Sequence, residues 1–226
     1  MKKIKAFCCW SGGKDSTLSL YRARQGQQIE VTHLLNMLAE DGEHSRSHGI
    51  RAELLKTQAS AIGIPIVQRK ATTRGVTSEN TYEHEFKKAV LELKDEGVNA
   101  GIFGDIDLHV HRDWVERVCR EIGITPILPL WKGNREELIT EFMDAGFKTI
   151  VVATNANRLG EEWLGRQIDK EFVAELKALG NIDLCGEDGE FHSFVYDGPI
   201  FKHPVKWTVG KKVLKDNHWF LEIKKD

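Results

Sequence analysis

Short apolar runs alternate with segments of helical spacing through the first half of the chain. The apolar runs are Ile4–Trp10, Ile29–Met37, Ile64–Val67, Val98–Phe103 and Thr125–Leu128. The segments with helical spacing are Thr17–Arg24, Ile50–Ile62, Tyr82–Glu96 and Asp113–Ile122. Strands that alternate with helices favour a parallel sheet covered by helices on both faces. The pattern therefore predicts an α/β fold with a five-stranded parallel sheet.

The pattern changes after Leu128, where an apolar, proline-bearing stretch precedes a polar turn. Asn134 is a candidate N-cap for a helix that extends to about Ala145, because its side chain can accept hydrogen bonds from the first helical amides. The strand-like and helical segments that follow are Phe147–Ala153, Asp169–Leu179, Val205–Val213 and Trp219–Ile223. This mixture predicts a smaller α+β domain, so we divide the chain into a first domain at 1–128 and a second at 129–226.

Composition and charge exclude several classes of function. The chain has 226 residues and is 41% hydrophobic, which suits a packed core in one large or two modest domains. A net charge of −2 without a basic block argues against stable nucleic-acid binding. No run approaches the ~18 apolar residues of a membrane span, and the first residues do not form a signal peptide. Four cysteines without a C-x-x-C pair favour reduced thiols and a cytoplasmic protein.

The run from Ser11 to Ser16 carries the strongest candidate chemistry. It follows the first predicted strand and precedes a helix, so backbone amides lie at the positive end of a helix, where phosphate binds. Its two glycines lack the Cβ atoms that would hold a phosphate away. A carboxylate in such a site suits a bridging divalent cation, because Mg²⁺ joins carboxylates to nucleotide phosphates. The predicted nucleotide-binding residues are Ser11, Gly12, Gly13, Lys14, Asp15 and Ser16, with Lys14 and Asp15 also catalytic and Asp15 the metal ligand.

This run departs from two familiar phosphate-binding motifs. Lys14 is followed by Asp15 and not by the Ser or Thr of Walker A, and no third glycine completes a dinucleotide fingerprint. Ser-Gly-Gly-Lys-Asp-Ser resembles instead the PP-loop of the N-type ATP pyrophosphatases. The resemblance implies a Rossmann-like fold of the adenine nucleotide alpha hydrolase type and cleavage of ATP to AMP and pyrophosphate. The alternative is a tight strand-to-helix turn without a ligand.

Polar segments follow the second and third strands, at the sheet edge where ligands bind in open α/β folds. Leu38–His48 holds charged residues and histidines and almost nothing apolar. It is either a solvated surface loop or a lid over the nucleotide, with His48 near the phosphates. Thr72–Thr81 allows the same two interpretations.

The fourth strand is followed by a glycine and two carboxylates. Gly104 permits close backbone approach, and Asp105 and Asp107 are candidates to hold Mg²⁺ or a ribose. We include Gly104 and Asp105 among the nucleotide-binding residues. His109 and His111 suggest a metal, but two histidines two apart on an irregular segment are more often surface residues.

Four stretches of the second half resemble one family among these enzymes, the diphthine–ammonia ligases. They are Leu130-Trp131, Trp163–Arg166, Cys185–Phe191 and Phe194–Phe201. The resemblance covers the chain from Lys3 to about Phe201. It implies an amide ligase in which ATP adenylates the carboxylate of diphthine on elongation factor 2 and ammonia then displaces AMP, giving diphthamide. The implied partners are ATP, AMP, ammonium and elongation factor 2, with Mg²⁺ as the metal.

The resemblance also implies a substrate-binding and catalytic loop. Glu187 and Glu190 are expected to hold cationic groups of the substrate or the incoming ammonium, and Gly186 and Gly189 to bind substrate beside them. The alternative is a charged surface turn. Asp188 stands where the family commonly has glycine, a departure on the substrate side.

Aromatic residues of the second half have two interpretations. Trp131 and Trp163 belong either to the core or to a substrate site that stacks on the quaternary ammonium of diphthine. Trp114 stands where the family often has a basic residue. His192 is expected to flank a strand and not to act as a base.

Two other functions stay as alternatives. A tRNA thiolase of the same superfamily would need paired catalytic cysteines and a basic surface, and neither is visible. A nucleotide-binding module without turnover is disfavoured by the intact Lys14, Asp15 and Ser16. No glutaminase segment is evident, so free ammonia is the expected nitrogen donor.

Overall fold

The computed structural model describes residues 3–46, 48–71 and 78–226, without side-chain detail at 78–81. The elements, in chain order, are β1 (Ile4–Cys9), α1 (Lys14–Gln25), β2 (Ile29–Leu38), α2 (Ala52–Ile62), β3 (Ile66–Lys70), α3 (Ser78–Asp95), β4 (Ala100–Ile102), α4 (His109–Ile122), β5 (Thr125–Ile127), α5 (Arg135–Asp144), β6 (Lys148–Asn155), α6 (Lys170–Leu179), β7 (Phe191–Asp197), β8 (Trp207–Lys215) and β9 (His218–Lys225). Of the predicted polar stretch Thr72–Thr81, residues 72–77 lie outside the described part and 78–81 belong to α3.

The first five strands form one sheet in the order β3-β2-β1-β4-β5. Each neighbouring pair is parallel. A helix lies between each strand and the next along the chain, as parallel neighbours require. The predicted α/β fold with a five-stranded parallel sheet is confirmed.

Aromatic side chains fill the core on one face of this sheet. Phe7 of β1 is fully buried and meets the rings of Phe86 and Phe103 edge-on, with centroids 6.1 and 5.9 Å apart. Val115 and Val118 of α4 belong to the same cluster. Burying each such side chain contributes roughly 1.5–3 kcal/mol. This packing holds β1 at the centre of the sheet. It also fixes where the glycine loop, Ser11–Ser16, begins.

The second half forms an antiparallel sheet in the order β7-β6-β9-β8. Strand β6 pairs with both β7 and β9. The two helices that flank β6 in sequence begin with side-chain caps. Asn134 accepts from the amides of Glu136 and Glu137, and Asp169 accepts from that of Phe172. The predicted cap at Asn134 and the α+β character of this half are confirmed.

Helix α4 begins at His109, four residues before the predicted start at Asp113. The amides of His111 and Arg112 donate to the carbonyl of Leu108, the N-cap residue. Both histidines therefore lie in the first helical turn, and the prediction of an irregular segment there is wrong. This turn carries mostly polar side chains, so hydrophobic spacing does not reveal it.

Strand β3 occupies Ile66–Lys70, two residues later than the apolar run Ile64–Val67. It is an edge strand, paired with β2 alone. Pro65 lacks an amide, and its carbonyl accepts from Leu34 at 2.8 Å just before the strand. An edge strand tolerates polar residues, which explains why the apolar run is a poor guide to its end.

The polar segment after β2 is a compact turn over residues 39–46. One carboxylate oxygen of Asp41 accepts from the amides of Glu43 and His44 at 2.8 and 3.1 Å. Its other oxygen lies 2.8 Å from His44 Nδ1, and an antiparallel bridge joins Leu38 to Ser45. Local hydrogen bonds therefore order this segment, and its role as a lid stays a prediction.

The chain packs as two compact units. The first contains the parallel sheet and consists of Met1–Ser11, Asp15–Arg46 and Ile64–Lys132. The second contains the antiparallel sheet and consists of Gly12–Lys14, Ser47–Gly63 and Gly133–Asp226. Three residues of the glycine loop and helix α2 thus group with the C-terminal half, although they lie early in the sequence.

Candidate active site

The parallel sheet reverses its strand order at β1. Strand β2 lies on one side of β1 and β4 on the other, so the chain crosses over at this point. Open α/β sheets bind ligands at the carboxyl ends of the strands beside such a switch point. Ser11 follows β1, and Gly104 and Asp105 follow β4. The topology therefore brings these three predicted residues to the same edge of the sheet.

Gly104 packs directly against the start of α1. A Cβ atom at this position would lie 3.1 Å from both the Asp15 carbonyl carbon and the Ser16 nitrogen. The hydroxyls of Ser11 and Ser16 are 3.2 Å apart, and Ser16 is buried. The absence of a side chain at Gly104 thus lets the backbone after β4 approach the start of α1. Four residues of the first unit form one group here: Ser11, Asp15, Ser16 and Gly104.

Asp105 lies beside this group in a partly buried position. Its carboxylate is 3.4 Å from His111 Nδ1. Burial and the charge of Asp105 raise the pKa of the Cys9 thiol to about 12. Burial also raises the pKa of Cys8 and of Cys119. Three thiols of the parallel-sheet unit are therefore protonated near neutral pH, which disfavours a thiolate nucleophile there.

Strand β7 holds the glycine loop of the second unit through two hydrogen bonds, and Gln58 of α2 links the loop to the strand through two more. The carbonyl of Gly12 accepts from the amide of Val195 and from Gln58 Nε2, both at 3.0 Å. Gln58 Nε2 also donates to the Val195 carbonyl at 2.6 Å. The amide of Lys14 donates to Ser193 Oγ at 3.1 Å. The loop is therefore fixed at both of its ends by groups far away in sequence.

His48 closes one side of this loop. A Cβ atom added to Gly13 would lie 2.4 Å from His48 Cε1 and 3.1 Å from the Ser193 carbonyl oxygen. Nδ1 of His48 is 3.0 Å from the same carbonyl, so this nitrogen is the donor. The structure places His48 against the glycine loop, in the position expected of a residue near bound phosphates.

Lys14 is 5% exposed despite its charge. Its Nζ lies 5.6 Å from the centroid of the Phe191 ring, within range of a cation–π contact. Its ammonium group is a donor that can pair with phosphate oxygens, which suits a phosphate-binding role.

A second set of hydrogen bonds orders the loop that carries Glu187 and Glu190. Asp183 pairs with Arg135 at 3.1 Å and accepts from the Glu187 amide at 2.6 Å. The Asp183 amide donates to Glu190 Oε1 at 3.1 Å. Asp183 therefore joins both predicted glutamates, while Asp188 is half-exposed and 3.8 Å from Arg135.

Glu190 is 1% exposed, so the alternative of a charged surface turn is wrong for this residue. Its Oε2 atom is buried and has no hydrogen-bond partner among the described residues. An unpartnered buried carboxylate oxygen is costly and suits a site that receives a donor.

Gly186 has φ of 69°, and a Cβ there would lie 2.8 Å from the Phe191 carbonyl oxygen. Gly189 has φ of 78°, so both loop glycines adopt a conformation that other residues rarely take.

The two predicted substrate tryptophans lie in separate packing environments. Trp163 is 7% exposed. The Arg166 guanidinium lies 4.6 Å from the centroid of its ring, and the ring of Phe172 packs edge-on with its centroid 5.4 Å away. Trp131 is partly exposed and lies 5.0 Å below the guanidinium of Arg112, with His109 edge-on at 5.3 Å. Both rings already carry a cation, and stacking on a quaternary ammonium stays a prediction for each.

Sequence reasoning missed Ser193 and Gln58, which hold the glycine loop in place. Gln58 is the one polar residue among the buried positions of α2, and that exception to the apolar face was the available signal. Ser193 gave no comparable signal, because a serine in an apolar strand is unremarkable. His192 was expected to flank a strand, and it lies within β7, where its ring contacts that of His48 with centroids 4.6 Å apart.

The described residues contain no group of three or more His, Cys, Asp or Glu side chains placed to hold a metal ion. Asp15 as the metal ligand, and Asp105 and Asp107 as candidates to hold Mg²⁺, stay predictions. In the same described part of the chain, no helix combines the length and apolar character needed to cross a membrane.

A five-stranded parallel sheet with a glycine loop at its switch point defines a nucleotide-binding class of α/β protein. Comparison with known families is more specific. Residues 4–126 match the diphthamide synthase N-terminal domain, and residues 134–226 match the diphthamide synthase C-terminal domain. The chain belongs to the diphthamide synthase family.

Similar curated proteins share one name, diphthine–ammonia ligase. The protein from Rattus norvegicus is 27% identical over 94% of this chain and 86% of its own length. The human protein is 26% identical over 86% of this chain and 79% of its own length. The Danio rerio protein is 26% identical over 94% of this chain and 90% of its own length. The expected resemblance is confirmed, and these names favour a ligase over the thiolase and the non-catalytic alternative.

Proposed function

We propose that the chain is an AMP-forming ligase that converts diphthine on elongation factor 2 to diphthamide with ATP and ammonia. Family membership and the names of the relatives supply the substrate. The observation that carries the proposal is the attachment of Gly12 and Lys14 to β7, since it holds the glycine loop in one shape before any ligand arrives. A preorganised cradle stabilises developing charge without reorganisation at the moment of reaction.

The proposed chemistry has two steps. A carboxylate oxygen of diphthine attacks the α-phosphorus of ATP, and the bond to the bridging oxygen breaks, so that pyrophosphate leaves with the electron pair. The nitrogen of ammonia then attacks the carbonyl carbon of the adenylate. AMP leaves, and the nitrogen loses one proton to give the amide. Neither step needs a nucleophile from the protein.

The nucleotide side of this proposal uses the loop and the switch-point residues. Ser11, Ser16 and the Gly12–Gly13 amides donate to phosphate oxygens, and Lys14 provides the cation. His48 closes the loop at Gly13. Asp15 would hold Mg²⁺, which would neutralise phosphate charge. A single protein carboxylate fits this ion, because nucleotide-bound Mg²⁺ takes most of its ligands from phosphates and water.

The acceptor side uses the C-terminal half. We assign ATP binding to residues 1–128, with Gly104 and Asp105 near the ribose, and substrate binding to 129–226. Glu190, with its unpartnered buried oxygen, holds ammonium or a cationic group of diphthine. Glu187, Gly186 and Gly189 shape the same loop.

The test is a product assay with diphthine-bearing elongation factor 2, ammonium chloride, ATP and Mg²⁺. We expect AMP and pyrophosphate in equal amounts, together with conversion of diphthine detected by mass spectrometry. Asp15→Asn should abolish both products, whereas Asp144→Asn, an exposed carboxylate at the end of α5, should not. Formation of ADP, or nucleotide binding without pyrophosphate release, would overturn the proposal.

A further inference from the structure

Two imidazole rings make a tilted contact beside the glycine loop within the second unit. The centroids of His48 and His192 are 4.6 Å apart, and their planes meet at 34°. His48 is held by its hydrogen bond to the Ser193 carbonyl, and Ser193 in turn accepts from the Lys14 amide. The loop, the two rings and the middle of β7 thus form one connected group.

The charged or titratable groups that act on the pKa of His192 are all basic. Three basic groups act on it: His48 from the segment before α2, Lys14 from the start of α1 and His218 from β9. No carboxylate of the described residues is among the groups that act on this ring. Burial and these neighbours hold the pKa of His192 well below its usual range, so the free protein keeps the ring neutral.

We propose that the His48–His192 pair takes up one proton from solvent when pyrophosphate binds to Gly12–Lys14, with His192 required for that uptake. The inference rests on the proposed function for the place of pyrophosphate. A polyanion at the loop adds negative charge beside the two rings, and so favours imidazolium over imidazole. The only bond formed is N–H, and two charged rings at this separation would repel, so the pair takes one proton and not two.

Proton uptake makes the affinity for pyrophosphate depend on pH. Between the pKa values of the pair in the free and bound states, each unit of falling pH strengthens binding by up to about tenfold. The pair then releases its proton as pyrophosphate leaves. Product retention in acid and faster release in mild base follow from this linkage.

Isothermal titration calorimetry with inorganic pyrophosphate tests the inference. Each titration is run in two buffers of different ionisation enthalpy, which gives the number of protons taken up. His192→Phe keeps a flat ring against His48 but has no nitrogen to protonate, and His203→Gln replaces an exposed histidine as the control. Pyrophosphate titrates in this pH range too, and subtracting the variant from the wild type removes its contribution.

We expect the wild type and His203→Gln to take up ~1 proton more than His192→Phe. His192→Gln should repeat the loss, and thermal unfolding of both variants should show that they are folded. Equal proton counts in wild type and His192→Phe, with pyrophosphate bound, overturn this inference and leave the proposed function standing. If the wild type fails to bind pyrophosphate, the inference is overturned, and the AMP-forming assay separately decides whether the proposed function falls with it.

Discussion

The backbone amide of Lys14 donates a hydrogen bond to the hydroxyl of Ser193 at 3.1 Å, across 179 positions of sequence. Ser193 is 2% exposed, and its own carbonyl accepts from His48. One serine of β7 therefore holds both the first residue of α1 and the histidine that closes the loop. The geometry of a motif near the N-terminus thus depends on the C-terminal sheet.

Ser193→Ala should weaken nucleotide binding more than it weakens the fold. The substitution leaves the buried Lys14 amide without this acceptor, at a cost of about 1–3 kcal/mol. We expect KM for ATP to rise several-fold with a smaller change in kcat, measured by pyrophosphate release. Ser60→Ala, on the exposed face of α2, is the matched control. A stability loss with unchanged KM would show that the bond serves folding alone.

Gly13→Ala tests the space beside His48. The added methyl would lie 2.4 Å from His48 Cε1 and 3.1 Å from the backbone oxygen of Ser193, so the ring must move. Gly13 is not among the glycines with positive φ, and the test therefore probes contact without backbone strain. We expect a loss of about 1–3 kcal/mol in unfolding free energy and at least tenfold weaker ATP binding by calorimetry.

Gly26→Ala is the control for this substitution, because the nearest atom to its added methyl is 4.0 Å away. It should leave ATP affinity within twofold. Equal effects of the two substitutions would contradict the role given to the space between Gly13 and His48.

The sequence predicts those parts of the fold that depend on residues close together along the chain. The alternation of apolar runs and helical spacing gave the parallel sheet, and the Asn134 cap followed from one side chain and the amides beside it. The first turn of α4 escaped because its side chains are mostly polar. Helix starts without a side-chain cap, such as the one after Leu108, carry no comparable signal.

The candidate site divides in the same way. Ser11–Ser16 is recognisable because its chemistry is contiguous. Gln58 and Ser193 are not, since they reach the loop from 46 and 179 positions away. The burial of Glu190 was also hidden, because a stretch with two glycines and three carboxylates has the composition of a surface turn. Only the folded chain shows that its Oε1 accepts from the Asp183 amide while Oε2 has no partner in the part of the chain that the structure describes.

Glu83 should make stability fall in acid. Its carboxylate accepts from Arg117 and Lys87 and from the indole of Trp114. The hydrogen bonds from Arg117, followed by those from Lys87, lower the pKa of Glu83 from its usual 4.5 to about 2. A lowered pKa stabilises the fold above about pH 4.5, and that contribution is lost as pH falls toward 2.

Glu83→Gln should therefore destabilise the protein by about 2–3 kcal/mol at pH 7 and by much less at pH 3. Urea unfolding at both pH values measures this difference. Glu30→Gln, which replaces an exposed carboxylate of β2, should have little effect at either pH. A destabilisation by Glu83→Gln that is the same at pH 7 and pH 3 would show that packing, and not charge, is lost.

Glu190→Gln separates a functional carboxylate from a structural one. The amide keeps the shape of the side chain, and its oxygen can still accept from Asp183, so the loop should stay ordered. If the buried oxygen of Glu190 receives ammonium or a substrate cation, the amide group cannot replace it. We expect diphthamide formation to fall by about 10²–10⁴-fold, while the unfolding free energy stays about equal, because the amide keeps the size of the side chain and its hydrogen bond with Asp183.

The control for Glu190→Gln is Asp188→Gly, which restores the glycine common in the family. Asp188 is 52% exposed and its 3.8 Å contact with Arg135 is a surface ion pair, which contributes under about 1 kcal/mol. Because so little energy is lost, the Asp188→Gly variant should keep its activity within about twofold of the wild type. Lost activity together with unchanged or higher stability is the signature of a site residue, since groups selected for chemistry are often poor for folding. Full activity in Glu190→Gln would instead confine Glu190 to holding the loop through its contact with Asp183.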